Sequence, residues 1–245
     1  MFDFQTMKEA FPGLIKFLPI TIQLTLGALA IAVPVSILFS IALLGNNKVP
    51  KAIIRFILSI IRGTPVLLQM FVIYTVIPFL VQGIVKKFNL KIDVYSIDSK
   101  WYAYLAISLS AIAFLTEAFR SAIASVDKGQ KEAGLMVGLS NFQVFHRVVL
   151  PQALTVAVPV CGNIVVDVIK TTSLAFTISV TELMGEAKIL GGMNTRYLDV
   201  YMDVFVIYLV FIGTVEFLIK RLEKRLVRYR NTTTGKKPVK SDATT

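Results

Sequence analysis

Side chains able to do chemistry are scarce in this chain, and they are not arranged for catalysis. Asp167 stands in an apolar run, with Asn163 four residues before it and Lys170 three residues after. An ionisable group in such surroundings is costly, so its default use is functional, facing a polar cavity rather than lipid. Spacing of i and i+4 puts Asn163 and Asp167 on one helix face. Spacing of i and i+3 equally lets Asp167 neutralise Lys170, and the two readings stand side by side. Thr64 and Gln69, at the head of another apolar run, are candidates to line the same path. The single histidine, His146, lies in a charged stretch, so no serine and histidine pair can form within an apolar layer. No G-x-x-x-x-G-K-[ST] loop occurs, which excludes that mode of ATP binding. Cys161 is the only cysteine, leaving neither a disulfide framework nor a metal-ligand cluster.

The elements that must position these residues follow from composition. Of 245 residues, 55% are hydrophobic and 17% charged, and the mean hydropathy is +0.71. Soluble domains average about 45 to 50% apolar and about 25% charged. The expectation is an all-α integral membrane protein, because spans of about 20 residues leave room for roughly five or six. Five apolar runs are visible, at 17–44, 65–85, 102–123, 151–183 and 200–219. The fourth is too long for one straight span and holds a polar cluster, Lys170 to Ser173, so a broken helix or a helix followed by a shorter one is predicted. All should be helical, since unpaired backbone amides in lipid cost several kcal/mol. The alternating short segments of a membrane β-barrel are absent.

A net charge of +11 raises the question of nucleic acid, but the cations sit at the ends of apolar runs instead of forming a stripe with interleaved aromatics. Counted by side, eight Lys and Arg fall on one face and seventeen on the other. The positive-inside rule then places the C-terminus in the cytoplasm and the N-terminus outside. Trp101, Tyr102, Tyr104, Tyr197 and Tyr201 would mark the outer interface. No cleaved signal peptide is expected ahead of the first span. The division expected is an external segment 1–16, a transmembrane domain 17–226 and a basic, disordered cytoplasmic tail 227–245. If the fourth run enters from the cytoplasm at Pro151, the helical rise puts Asn163 about 18 Å and Asp167 about 24 Å into the membrane.

The stretch 127–150 is neither a span nor a linker. Its sequence predicts a short helix around Glu132 to Met136, a stop at Gly138, and a second short helix from Phe142 to Val149 capped by Ser140 or Asn141. Two helices meeting at a glycine make a compact knob exposing Phe142, Val144 and Phe145, and exposed apolar side chains on a charged face imply a docking partner.

Here the chain resembles the membrane subunit of ATP-binding-cassette importers. That family carries E-A-A, three residues, G, nine residues, then I-x-L-P; the match is Glu132-Ala133-Gly134, Gly138 and Val148-Val149-Leu150-Pro151 with every spacing kept. Gly134 stands for the second Ala and Val148 for the Ile. The resemblance narrows to permeases for polar amino acids through Arg62-Gly63-Thr64-Pro65 with Gln69, through Glu117-Ala118-Phe119-Arg120 with Gly129-Gln130, and through Lys170-Thr171-Thr172-Ser173-Leu174. Many members carry an acidic or amide residue where Thr171 stands. The resemblance implies the five-span fold of a type I importer permease in the bacterial cytoplasmic membrane. It also implies a dimer with a second permease copy or homologue, two cytoplasmic ATPases and an extracytoplasmic substrate-binding protein. Glu132, Ala133, Gly134, Gly138, Phe142, Leu150 and Pro151 would then couple to the ATPases, with ATP and magnesium held by those partners and no cofactor in this chain.

The substrate implied is a polar or charged amino acid, cystine included, with Asp167 facing its ammonium and Asn163 able to donate and accept. Simpler readings remain beside these: Glu132 as a surface helix residue, His146 as a solvated or docking residue, and Arg62 and Arg120 as headgroup anchors or as parts of a dimer contact or gate. The competing functions are an ion-coupled secondary transporter working alone, with Asp167 as its coupling carboxylate, and a membrane scaffold without a transport path.

Overall fold

The computed structural model describes residues 4–89 and 91–234. Ten helices occur in it: α1 (Phe4–Ile15), α2 (Leu18–Leu44), α3 (Lys48–Gly63), α4 (Val66–Lys87), α5 (Ser99–Ala124), α6 (Lys128–Met136), α7 (Asn141–Val144), α8 (Leu150–Thr171), α9 (Leu183–Asn194) and α10 (Tyr197–Thr234). Among the described residues there is no strand. Five segments are long and apolar enough to cross a membrane: α2, α4, α5, the stretch Asn141–Ile178 that contains α7 and α8, and Tyr197–Val227 of α10.

Helix α5 is the post around which the others pack. Of its most apolar window 61% is buried, against 17–28% in the other four spans. The seam with α2 is made of small residues four apart, Ala28, Ala32, Ser36 and Ser40, all buried. Small side chains let two helix backbones approach where no water is present to drive them together. Ser40 Oγ donates to Thr116 O at 2.8 Å and Ser36 Oγ to Ile112 O at 3.3 Å, so the seam also carries hydrogen bonds.

Helix α8 crosses both α5 and α10. Against α10, Gly162 leaves room for Ile219, whose Cγ2 would lie 2.5 Å from a Cβ placed there. Pro159 sits inside α8 and lacks the amide that would complete the hydrogen-bond ladder there.

Several expectations need correction. The segment 1–16 contains the amphipathic helix α1, whose Leu14 is fully buried with Leu183, Ala187, Val200 and Val204. The expected tail begins too early, because α10 continues to Thr234; the remainder, 235–245, lies outside the described residues. The break of the fourth run at its polar cluster, by contrast, is as expected: α8 ends at Thr171 and a tight 3₁₀ stretch, Thr172–Ile178, leads to left-handed Ser179 and on to α9. Beyond the break, Leu183–Asn194 form α9. Helix α3 fills the interval between the first two apolar runs.

Candidate functional site

Two places along the stretch from α6 to α8 hold most of the candidate residues: a knob at the start and a cavity toward the far end. The knob begins at α6. Asp127 caps it, accepting from Gly129 N at 2.7 Å, and α6 ends at Met136. Gly138 has φ +84°, a left-handed conformation that glycine adopts without the Cβ penalty. A Cβ at Gly138 would meet nothing, so its requirement is backbone shape and not space. The close approach falls instead on Gly134, where a Cβ would lie 2.9 Å from Val144 Cγ2. Val144 is consequently buried, which corrects its expected exposure.

Ser140 caps α7 in a reciprocal box: its hydroxyl accepts from Gln143 N at 3.3 Å, and Gln143 Oε1 accepts from Ser140 N at 2.9 Å. The second short helix does not stop at Val149. It passes through one π-helical turn, Phe145–Val149, directly into α8, with Leu150 and Pro151 in the first turn of the span. What the knob exposes is Met136 at 88%, Val137 at 77% and Phe142 at 75%, with Glu132 and Ala133 also on the surface. Phe142 and His146 lie with ring centres 5.9 Å apart.

The cavity, about 200 Å³, lies between the head of α4, the middle of α5 and the last turns of α8. Val66, Ile107, Ser110, Phe114, Asp167 and Thr171 face it. Its mouth holds Asp167, a carboxylate 74% exposed in the single chain, with Lys170 Nζ 3.7 Å away. Both sequence readings of Asp167 thus have a geometric counterpart, and an exposed pair of this kind is too weak to fix the carboxylate in place. Asn163 is exposed on α8 but does not line the cavity.

Thr64 and Gln69 are not brought to this cavity. Gln69 Nε2 donates to Ile61 O at 2.7 Å, to Thr64 O at 3.0 Å and to Thr64 Oγ1 at 2.9 Å, while Thr64 Oγ1 donates to Ile60 O at 3.0 Å. Together they close the corner where α3 ends and α4 begins, satisfying carbonyls that a helix end leaves unpaired. Gln69 Oε1 is buried and has no hydrogen-bond partner.

Sequence reasoning missed Glu182. Its carboxylate is completely buried and accepts from Gly185 N at 2.8 Å, Met184 N at 3.0 Å, Thr21 Oγ1 at 3.3 Å and Tyr208 OH at 3.3 Å. One side chain thereby caps α9 and ties it to α2 and α10. An acidic residue just before the helical stretch LMGEAK is the available signal for a cap. Nearer the C-terminal end of α5, Arg120 grips Glu117 through two hydrogen bonds, one of them Nε to Oε2 at 3.0 Å. No group of His, Cys, Asp and Glu able to hold a metal occurs among the described residues.

The family described as binding-protein-dependent transport system inner membrane component matches residues 32–228. The chain is 37% identical over 210 residues to the probable amino-acid permease protein YxeN of Bacillus subtilis (strain 168), covering 85% of this chain and 88% of that protein. It is 32% identical over 225 residues to the L-cystine transport system permease protein TcyL of the same organism, covering 92% of each. The crystal structure of an amino acid ABC transporter with histidines superposes with a TM-score of 0.78 at 26% identity, over 92% of this chain and 99% of that one.

Proposed function

Since the chain belongs to the binding-protein-dependent transport system inner membrane components, we propose that it forms half of the path by which an ATP-driven importer brings a polar or charged amino acid into the cell. Cystine is among the candidates, in keeping with the 32% identity to TcyL. The observation that carries the reading is continuity: the knob's α7 and the cavity's Asp167 belong to one unbroken helical run from Asn141 to Thr171.

In this reading two ATPase subunits dock on Met136, Val137 and Phe142, with Glu132, Ala133 and Gly134 shaping the first helix and Gly138 the corner. ATP and magnesium are bound and consumed in those partners. A second permease copy or homologue completes the path, and a substrate-binding protein delivers the amino acid to the outer face. The N-terminus is outside and the C-terminus cytoplasmic, as the Lys and Arg distribution asks.

An amino acid entering the path must shed the water around its ammonium and carboxylate, which is costly unless fixed groups replace it. Asp167 supplies a charged acceptor for the ammonium, and Asn163, one turn earlier, a donor and an acceptor closer to the cytoplasm. A charge-assisted contact is worth about 1.5 to 3 kcal/mol, so its loss should weaken substrate handling roughly tenfold or more.

Uptake of labelled amino acids into liposomes holding the permease with and without its ATPase tests the assignment. ATP-dependent uptake that needs the ATPase is expected; uptake driven by an ion gradient without it would favour the ion-coupled carrier. Asp167→Asn should lower uptake while the ATPase still co-purifies. Full recovery in Asp167→Asn with Lys170→Met would show that Asp167 only neutralises its neighbour.

A further inference from the structure

Helix α3 is built unlike the other helices of the chain. Its sequence, KVPKAIIRFILSIIRG, contains four cations and no acidic residue. At 3.6 residues per turn, Lys48, Lys51, Arg55 and Arg62 fall within an arc of about 60°. Val49, Ile53, Phe56, Ile57 and Ile60 fall within an arc of about 100° on nearly the opposite side. Between the two arcs lie Ile54 and Leu58, buried in the main core. The apolar arc is open: Phe56 is 67% exposed, Val49 66% and Ile53 54%. Among the described residues Lys48, Lys51 and Arg55 make no ion pair.

The partners at its two ends indicate that the helix lies across the bundle. It starts four residues after the end of α2, whose Ser40 is hydrogen-bonded to Thr116 of α5, and Arg62 in its last turn is, like Arg55, within electrostatic reach of Glu117 of α5. Both ends therefore sit near one level of α5. Its 16 residues span about 24 Å, short of the roughly 30 Å hydrocarbon layer.

We propose that α3 lies in the plane of the cytoplasmic membrane surface and binds anionic lipid headgroups through Lys48, Lys51 and Arg55, with its open apolar arc in the acyl layer. A basic face opposite an apolar one, in a helix too short to span, is the physical pattern of interfacial binding, and the negative potential of the cytoplasmic leaflet attracts such cations. Lysine is depleted at the centre of protein interfaces, which argues against a second copy of the chain as the occupant. Arg62 is reserved partly for the protein, since its Nε donates to Leu58 O at 3.3 Å. The proposal rests on the orientation given above, which places α3 inside.

The test uses the assembled transporter in nanodiscs, with Phe56→Trp in a Trp101→Phe background. Brominated acyl chains are carried in turn by phosphatidylglycerol and by phosphatidylcholine at equal mole fraction. Quenching by both lipids is expected, and more by phosphatidylglycerol. Neutralising Lys48, Lys51 and Arg55 to Gln should reduce that preference by up to about fivefold for each cation removed. Lys48→Arg with Lys51→Arg should keep it, which separates loss of charge from loss of folding. A tryptophan shielded from both lipids would overturn the proposal by showing the face covered by protein. A preference untouched by the neutralised variant would overturn it by showing that the headgroup is not read. ATP-dependent uptake, measured on the same preparations, reports separately on the transport reading.

Discussion

Gly134 and Gly138 lie one helical turn apart and obey different constraints. At Gly138 the left-handed backbone is the requirement and the space beside it is open, so Gly138→Ala should cost about 1 to 2 kcal/mol of strain and leave the knob's surface intact. At Gly134 the requirement is contact with Val144, so Gly134→Leu should wedge α6 away from α7 and cost about 1 to 3 kcal/mol. Co-purification of the ATPase from membranes with equal permease levels separates them: retained with Gly138→Ala, lost with Gly134→Leu. The reverse pattern would mean that the corner, and not the helix contact, holds the docking face. Glu182 makes a different demand. Four donors converge on its carboxylate, and Gln offers them one acceptor and an unwanted NH₂. Glu182→Gln should therefore lower thermal stability by about 1 to 3 kcal/mol in purified protein. An unchanged melting temperature would remove Glu182 from the account of how α2, α9 and α10 are joined.

Among the elements, the α2 and α5 seam is the most sensitive to side-chain size. Ala32→Leu should force the helices apart at a cost of about 1 to 3 kcal/mol, whereas Ser40→Ala gives up one interhelical hydrogen bond worth about 0.6 kcal/mol. Comparable losses in a denaturation series would show that hydrogen bonding matters there as much as approach. Long apolar runs made these spans legible in advance: 17–44 became Leu18–Leu44 and 65–85 became Val66–Lys87, because a span must be about 20 apolar residues whatever its neighbours do. Helices α1, α3 and α9 were not legible, since each is short and stabilised by the surface it lands on. The same holds within the site. The knob's motif could be read from spacing alone, yet the cap made by Glu182 exists only because the chain reverses at Ser179, and the bonds of Gln69 exist only because α3 and α4 meet at a corner.

At the scale of the whole molecule, the apolar side chains left open include, besides the arc on α3, a band around the spans and a separate group on the knob. The band, which includes Leu26, Phe79 and Leu209, suits lipid or a second permease; Met136, Val137 and Phe142 suit a water-borne partner. Phe142→Asp should abolish ATP-driven uptake and ATPase retention while insertion and thermal stability stay normal, because the side chain is three-quarters exposed and supports no core. Loss of insertion instead would mean that Phe142 packs within the permease. Pro159 divides the helix shared by the knob and the cavity into unequal arms. From Asn141 to Pro159 is about 27 Å of helix, and from Pro159 to Asp167 about 12 Å. Were the helix to pivot at that proline, travel would fall about twofold between knob and cavity and force would rise by the same factor. Such gearing would favour prying open a packed gap over sweeping a wide one: a nudge of about 2 Å at the docking face would reach Asp167 as about 1 Å, enough to make or break a hydrogen bond.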